Sequence, residues 1–316
     1  SKVVSFEEVV RTVITAGDLE DNRYLQEFEK YDLLSAFWQM CEETFGGNFS
    51  SPSLVKLVNT MFTTYTSKVV MSELPSAWRN YCSHKSGNII AFLDSLMNSM
   101  IYRGDFDGLS DMVYSTLDGE TVLSSVDISQ LIELEIFKKT DVFILKWMID
   151  RLEHDDLDAR LNDYSIVDIC KKRRKMHFKD VFSSHYYILE NAYYLLKEAR
   201  YKPAEELEEI TKNYITKDYI IDQKYRYFYY HYDNVPDSSI YENLRELVEN
   251  VYTNRFLNPL AVVFSRALCE NKGKMNLTSQ QDFYSRFVKN SKERTVVIIS
   301  DAFRFEVGQT LLKRLM

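Results

Sequence analysis

The sequence predicts a mainly α-helical protein, a helical bundle or irregular α-solenoid, that ends in a single β-α unit. Three observations lead there. Apolar residues recur at helical spacing through positions 1–290. Breakers are scarce: 9 Gly and 5 Pro in 316 residues supply too few tight turns for a β sandwich. Near the end the pattern changes to a continuous β-branched run, Thr295-Val296-Val297-Ile298-Ile299, which enters Ser300-Asp301 and then a second helical pattern.

Taken in order, residues 24–44 place Leu25, Phe28, Leu33, Phe37, Met40 and Cys41 on one buried stripe. Gly46-Gly47 ends that helix, and Ser51-Pro52 opens the next with a cap and a first-turn proline. An amphipathic helix is predicted over 53–71, and 87–102 reads alike. The stretch 127–153 is long and well patterned, with Leu131, Leu134, Phe137, Val142, Leu145, Met148, Ile149 and Leu152. Further helices are expected over 179–201, 203–232, 238–269 and 277–290, with Pro203 separating the first two. Loops are expected around 46–52, 72–76, 103–108, 154–165, 233–238 and 271–279. No fixed-period repeat appears, so bundle and solenoid both stand. The expected organisation is a helical scaffold over 1–235, a helical connector over 236–292, and a strand and helix over 293–316.

The run 295–299 lacks alternation, which marks a strand covered on both faces, the inner strand of a parallel sheet. Val307, Leu311, Leu312 and Leu315 then form a helical stripe. A lone strand of this kind cannot satisfy its backbone groups without neighbours. Either an earlier segment pairs with it, or its neighbours lie outside this sequence. Both ends read as cuts, since the chain begins Ser-Lys-Val-Val without an initiator Met and stops one helix after the strand.

Hydrophobic residues at 45% and charged residues at 27% are globular values. A net charge of −8 argues against a general nucleic-acid footprint while leaving room for a local basic patch. Cys41, Cys82, Cys170 and Cys269 form no CxxC pair, which predicts reduced thiols in a cytoplasmic protein. No apolar run approaches the ~18 residues of a membrane span.

Asp301 is the leading functional candidate. A carboxylate at the carboxyl end of a central strand can ligate a divalent metal, and the following helix N-terminus favours a phosphate nearby. The plainer reading makes it a helix cap accepting from the Phe303 or Arg304 backbone N–H. Arg304 and Glu306 read as solvated first-turn residues or a local ion pair. The basic run Lys171-Lys172-Arg173-Arg174-Lys175 can track a phosphate backbone, or it can be a solvated helix end. The segment 224–232 interleaves Lys224 and Arg226 with tyrosines. It reads as helix-packing aromatics before single-strand stacking platforms. His154-Asp155 reads as a polar loop, and Cys170 with His177 is too widely spaced for a local zinc site. No P-loop and no G-x-S-x-G elbow occur.

Ser300-Asp301-Ala302-Phe303-Arg304-Phe305-Glu306 resembles the S-D-A-x-R-x-E opening motif of the PglZ family. These are alkaline-phosphatase-like domains of bacterial BREX phage-defence systems. All five fixed positions match, and the apolar strand stands where the family has its first. The helical run before it, with Asp282-Phe283-Tyr284, is similar in general character to the region preceding that domain. The resemblance implies that Asp301 is the first metal-ligand aspartate, with Ser300, Arg304 and Glu306 as its supporting motif. It also implies a divalent metal, zinc or manganese, in the full-length protein. The Thr or Ser nucleophile and the remaining Asp and His ligands would then lie beyond Met316. On that basis 293–316 is the start of a truncated alkaline-phosphatase-like α/β domain. The chain itself is expected to be a catalytically inactive scaffold that holds no catalytic metal. Its partners would be other BREX components, with DNA as a further candidate. The alternative is a helical nucleic-acid-binding or protein-interaction adaptor.

Overall fold

Helix follows helix in the computed structural model, which describes residues 4–47, 51–71, 73–198, 201–271 and 279–316. The mainly α class is the one observed. Among the described residues the only sheet is a two-stranded antiparallel hairpin, Arg160–Leu161 with Tyr164–Ser165. Asn162 turns it with a φ of 53°, in the left-handed region where Asn is tolerated. The chain divides into two units, Ser1–Met148 with Ala159–Ser183, and Ile149–Asp158 with Ser184–Met316.

The first unit is built around the helix Leu54–Val69. Ser53 caps it, its hydroxyl accepting from the Lys56 N–H at 3.2 Å. The expected amphipathic helix is instead buried on nearly every side, with Asn59, Thr60, Thr63, Thr64 and Thr66 inside along with Leu57, Met61 and Phe62. The threonines can be inside because their hydroxyls bond within the helix or to its neighbours. Thr63 donates to the Asn59 carbonyl at 2.7 Å and Thr66 to the Phe62 carbonyl at 2.8 Å. Thr64 accepts from the Ser83 N–H at 2.9 Å. The helices Ser86–Met97 and Arg103–Thr116 pack against it. Trp78, fully buried, donates its indole N–H to the Leu117 carbonyl at 2.8 Å.

Two expectations change here. The stripe over 24–44 is two helices, Arg23–Lys30 and Leu34–Phe45, because Asp32 takes a φ of 56° and turns the chain between them. The loop expected around 103–108 is the start of Arg103–Thr116. Phe106, Leu109 and Val113 bury one face and hold the helix through Gly104 and Gly108.

In the second unit the helix Tyr219–Tyr232 follows a π-helical turn, Tyr214–Asp218. A second π turn, Val251–Leu257, joins Glu242–Asn250 to Asn258–Glu270. Leu207, Ile210 and Ala267 form a small core with Leu260, Val263 and Phe264 around it. The helix expected over 277–290 lies partly outside the described residues. What is described of it is a short 3-10 turn, Gln280–Asp282, and a π turn, Tyr284–Val288.

The last helix of the unit, Phe305–Leu315, is the one predicted after the motif, and it packs on Tyr219–Tyr232. The strand before it is a correction. Residues 295–299 pair with no other described segment, and Val296, Ile298 and Ile299 face solvent. An inner strand is made by the strands beside it, and the described residues offer none.

Candidate functional site

The motif begins on that solvent-facing run. Ser300 and Asp301 are both exposed. Ala302 then turns the chain with a φ of 54°, a conformation that costs a residue with a Cβ about 1–2 kcal/mol. The helix starts only at Phe305, with the Arg304 backbone as its cap and no side-chain capping bond. Asp301 is therefore not the N-cap. It stands free of the helix it precedes, on a strained turn, facing outward.

The other half of the motif faces inward. Phe305 sets its ring against Tyr219 at 5.5 Å and Tyr214 at 6.1 Å between centroids. Glu306 is 1% exposed, so neither the solvated nor the local ion-pair reading holds for it. Its Oε1 and Oε2 accept from Arg226 Nε at 2.8 and 3.0 Å, and Oε2 accepts from Nη2 at 2.8 Å. One turn on, Thr310 accepts from Gln223 Nε2 at 2.7 Å. Gly308 leaves room for Phe303, since a Cβ there would stand 3.3 Å from the ring.

Around this contact lies a set of tyrosine–carboxylate bonds. Tyr214 and Tyr252, one from each π turn, donate to the two oxygens of Asp222 at 2.5 and 2.8 Å. Tyr225 and Tyr229 donate to Glu249 at 2.6 and 2.8 Å. Tyr225 also stacks on Tyr252 with centroids 3.7 Å apart. Burial first, and then the bond to Asp222, pushes the Tyr214 hydroxyl above its usual range; the nearby Arg304 charge acts the other way. The Tyr225 bond leads the causes that hold Glu249 below the usual carboxylate range. Tyr225 and Tyr229 of the aromatic run are thus committed to packing and part-buried hydrogen bonds, while Tyr230 is exposed.

The chain is 30% identical over 322 residues to the alkaline phosphatase-like protein PglZ of Bacillus cereus (strain H3081.97), an alignment that takes in 98% of this chain and 37% of that protein. Over nearly its whole length, then, the chain is similar to a PglZ protein. It spans little more than a third of that relative's length. No protein-family model matches the chain, and no solved structure does.

The match takes in the helical part of the chain, which the sequence could align only by general character, as well as the motif. Among the described residues no three His, Cys, Asp or Glu side chains gather closely enough to hold a metal ion. Asp301 offers one carboxylate and lacks companions, so the described residues do not fit a metal centre by themselves.

The basic run is dispersed. It closes the helix Ile166–Arg173, and Arg173 points into the core. Its guanidinium pairs with Asp141, Nε to Oδ1 at 2.9 Å and Nη2 to Oδ2 at 2.8 Å, and Nη1 donates to the Ile132 and Leu134 carbonyls at 3.1 and 2.9 Å. A side chain buried in that way cannot reach a phosphate, which removes it from the expected nucleic-acid contact. Lys172 pairs with Glu133 at 2.8 Å, whereas Lys171 and Lys175 are exposed and Arg174 is half-buried. The three lysines line an open cleft of about 770 Å³ with Tyr164, Asp163 and Asp168.

The remaining candidates are held within the fold. His154 bonds the Asp150 carbonyl at 2.8 Å at the end of its helix. His177 is paired with Asp107 at 2.6 Å, and Cys170 is buried. No helix among the described residues is long and apolar enough to cross a membrane. Sequence reasoning missed Arg226 and Asp222. An arginine amid tyrosines on a packed helix signals a buried acidic partner, but its partner lies 80 positions away.

Proposed function

We propose that this chain is the helical scaffold and opening motif of a metal-dependent phosphoryl hydrolase of the alkaline phosphatase superfamily, working in bacterial BREX phage defence. The observation that carries the reading is the split of one short motif. Glu306 and Phe305 anchor it to the helices, while Asp301 is presented outward on a turn that costs energy to hold. A purely structural capping residue gains nothing from such exposure. A carboxylate awaiting ligands from elsewhere does. The chain contributes Asp301, with Ser300 and Arg304 beside it. The divalent metal, zinc or manganese, and the nucleophile would be completed by residues outside this chain. Alone, the chain is a scaffold that turns over nothing. In the cytoplasm its partners would be other BREX components.

The test is hydrolysis of bis(p-nitrophenyl) phosphate with added zinc or manganese, by this chain and by the longer protein containing it. The reading predicts turnover by the longer protein, its loss on Asp301→Ala, and none by the chain alone. Turnover by the chain alone, or an Asp301→Ala protein that keeps full rate, contradicts it.

A second reading, contact with a nucleic-acid backbone, is supported by the cleft that Lys171 and Lys175 line. It predicts salt-dependent binding of a labelled duplex, lost when both lysines are neutralised.

A further inference from the structure

We propose that Arg226 is a positioning residue: by gripping Glu306 it fixes the start of the motif helix on the scaffold, and with it the place of Asp301. The inference rests on the hydrolase reading above and adds to it a residue outside the motif.

Three observations carry it. The carboxylate that is gripped is nearly inaccessible, 1% exposed, and it sits in the first turn of the helix Phe305–Leu315. A grip there controls the helix end nearest Asp301, not a distant turn. The bonds form a fork, with Nε and Nη2 both engaged, and a planar guanidinium in a fork fixes orientation as well as distance. A second tether, Gln223 to Thr310 at 2.7 Å, lies one turn along both helices. Two tethers fix the register of one helix on the other, where one would leave a pivot.

On the other side of Asp301 nothing comparable exists among the described residues. The run 295–299 has no ladder partner and is largely exposed. In this chain the turn through Asp301 and Ala302 is therefore placed by the helix that follows, and in the longer protein that hold would act together with any strands that cover 295–299. Phe305, its ring set against Tyr219, holds the same end. Arg226 touches none of the reacting atoms; it acts through Glu306.

The experiment compares Arg226→Gln, Arg226→Lys and Asp301→Asn, in this chain by hydrogen exchange and in the longer protein by steady-state hydrolysis of bis(p-nitrophenyl) phosphate. Arg226→Gln is expected to speed exchange over 305–310 while the helix Tyr219–Tyr232 stays protected. In the longer protein kcat should fall by about 10²-fold, the scale of a small misplacement of reacting groups, with KM kept. Arg226→Lys keeps the charge without the fork and should recover part of both losses. Unchanged exchange over 305–310 in Arg226→Gln overturns the inference. So does an Arg226→Gln protein with normal kcat when Asp301→Asn is inactive, and that outcome leaves the hydrolase reading standing. If Asp301→Asn keeps full rate, the hydrolase reading falls and positioning for catalysis falls with it. If protection is lost across both helices, the loss is one of folding and the Lys variant decides: recovered protection without recovered kcat overturns the inference, and recovery of both supports it.

Discussion

The Glu306 carboxylate is closed off from solvent and taken by the Arg226 guanidinium through bonds of 2.8–3.0 Å across 80 positions of sequence. A buried charge is tolerable only while its partner stays. Arg226→Ala should therefore cost about 3 kcal/mol, more than an exposed pair is worth, because it strands the carboxylate. Glu306→Gln, which can still accept from Arg226, should cost less. Urea unfolding of the three chains checks the order.

Arg173 and Asp141 make the stronger case in the first unit, with both side chains buried. Either single alanine substitution should cost about 3–5 kcal/mol. Lys171→Ala and Lys175→Ala, whose side chains are exposed, should fall within about 0.5 kcal/mol of the parent. Equal small effects at all three basic positions would mean Arg173 is not held as described.

The tyrosine–carboxylate bonds give the second unit a pH window. Burial leads the causes that raise the Tyr225, Tyr214 and Tyr252 hydroxyls above their usual 10.0, followed by the acceptors Glu249 and Asp222. A raised folded pKa contributes stability that is whole below pH 10 and is lost as pH climbs beyond it, since the unfolded phenols ionise first. Glu249 is lowered from 4.5, chiefly by the Tyr225 bond, so its contribution is present above that value and is lost as pH falls through the depressed folded one. Denaturant midpoints should thus decline on both flanks. Tyr225→Phe should flatten both, and unchanged flanks would show that these bonds do not titrate with folding.

Gly46 ends the helix Leu34–Phe45 with a φ of 67°. A Cβ there would lie 2.6 Å from Lys85 Cγ and 2.8 Å from Ser83 Oγ. Gly46→Ala should destabilise by at least ~1–2 kcal/mol from the backbone alone. Gly87, which has open space around its Cα, should accept Ala without loss. Thermal melts of the two variants give the comparison.

Much of the architecture was legible because helices announce themselves locally. The stripe of Leu54, Leu57, Val58 and Met61 and the stop at Gly46 are short-range signals. What was not legible depended on distance. Asp32 reads as an ordinary aspartate until its left-handed turn splits a stripe in two. Nothing in composition marks the division of the chain near residue 183. At the site, Asp301 was singled out as a metal ligand or a helix cap, and Glu306 was read as solvated or locally paired. Only the fold brings Arg226 to it. Arg173 was hidden for a similar reason: a run of five basic residues reads as a solvated helix end or a phosphate track, and only the fold shows that one of them turns inward to Asp141.

The most direct test is a crystal structure of the longer protein soaked in manganese, with anomalous scattering used to locate the ion. The ion should sit within about 2.2 Å of an Asp301 carboxylate oxygen, with Glu306 still on Arg226 and residues 295–299 covered by neighbouring strands. A metal bound elsewhere, with Asp301 left in solvent, would contradict the assignment of this motif.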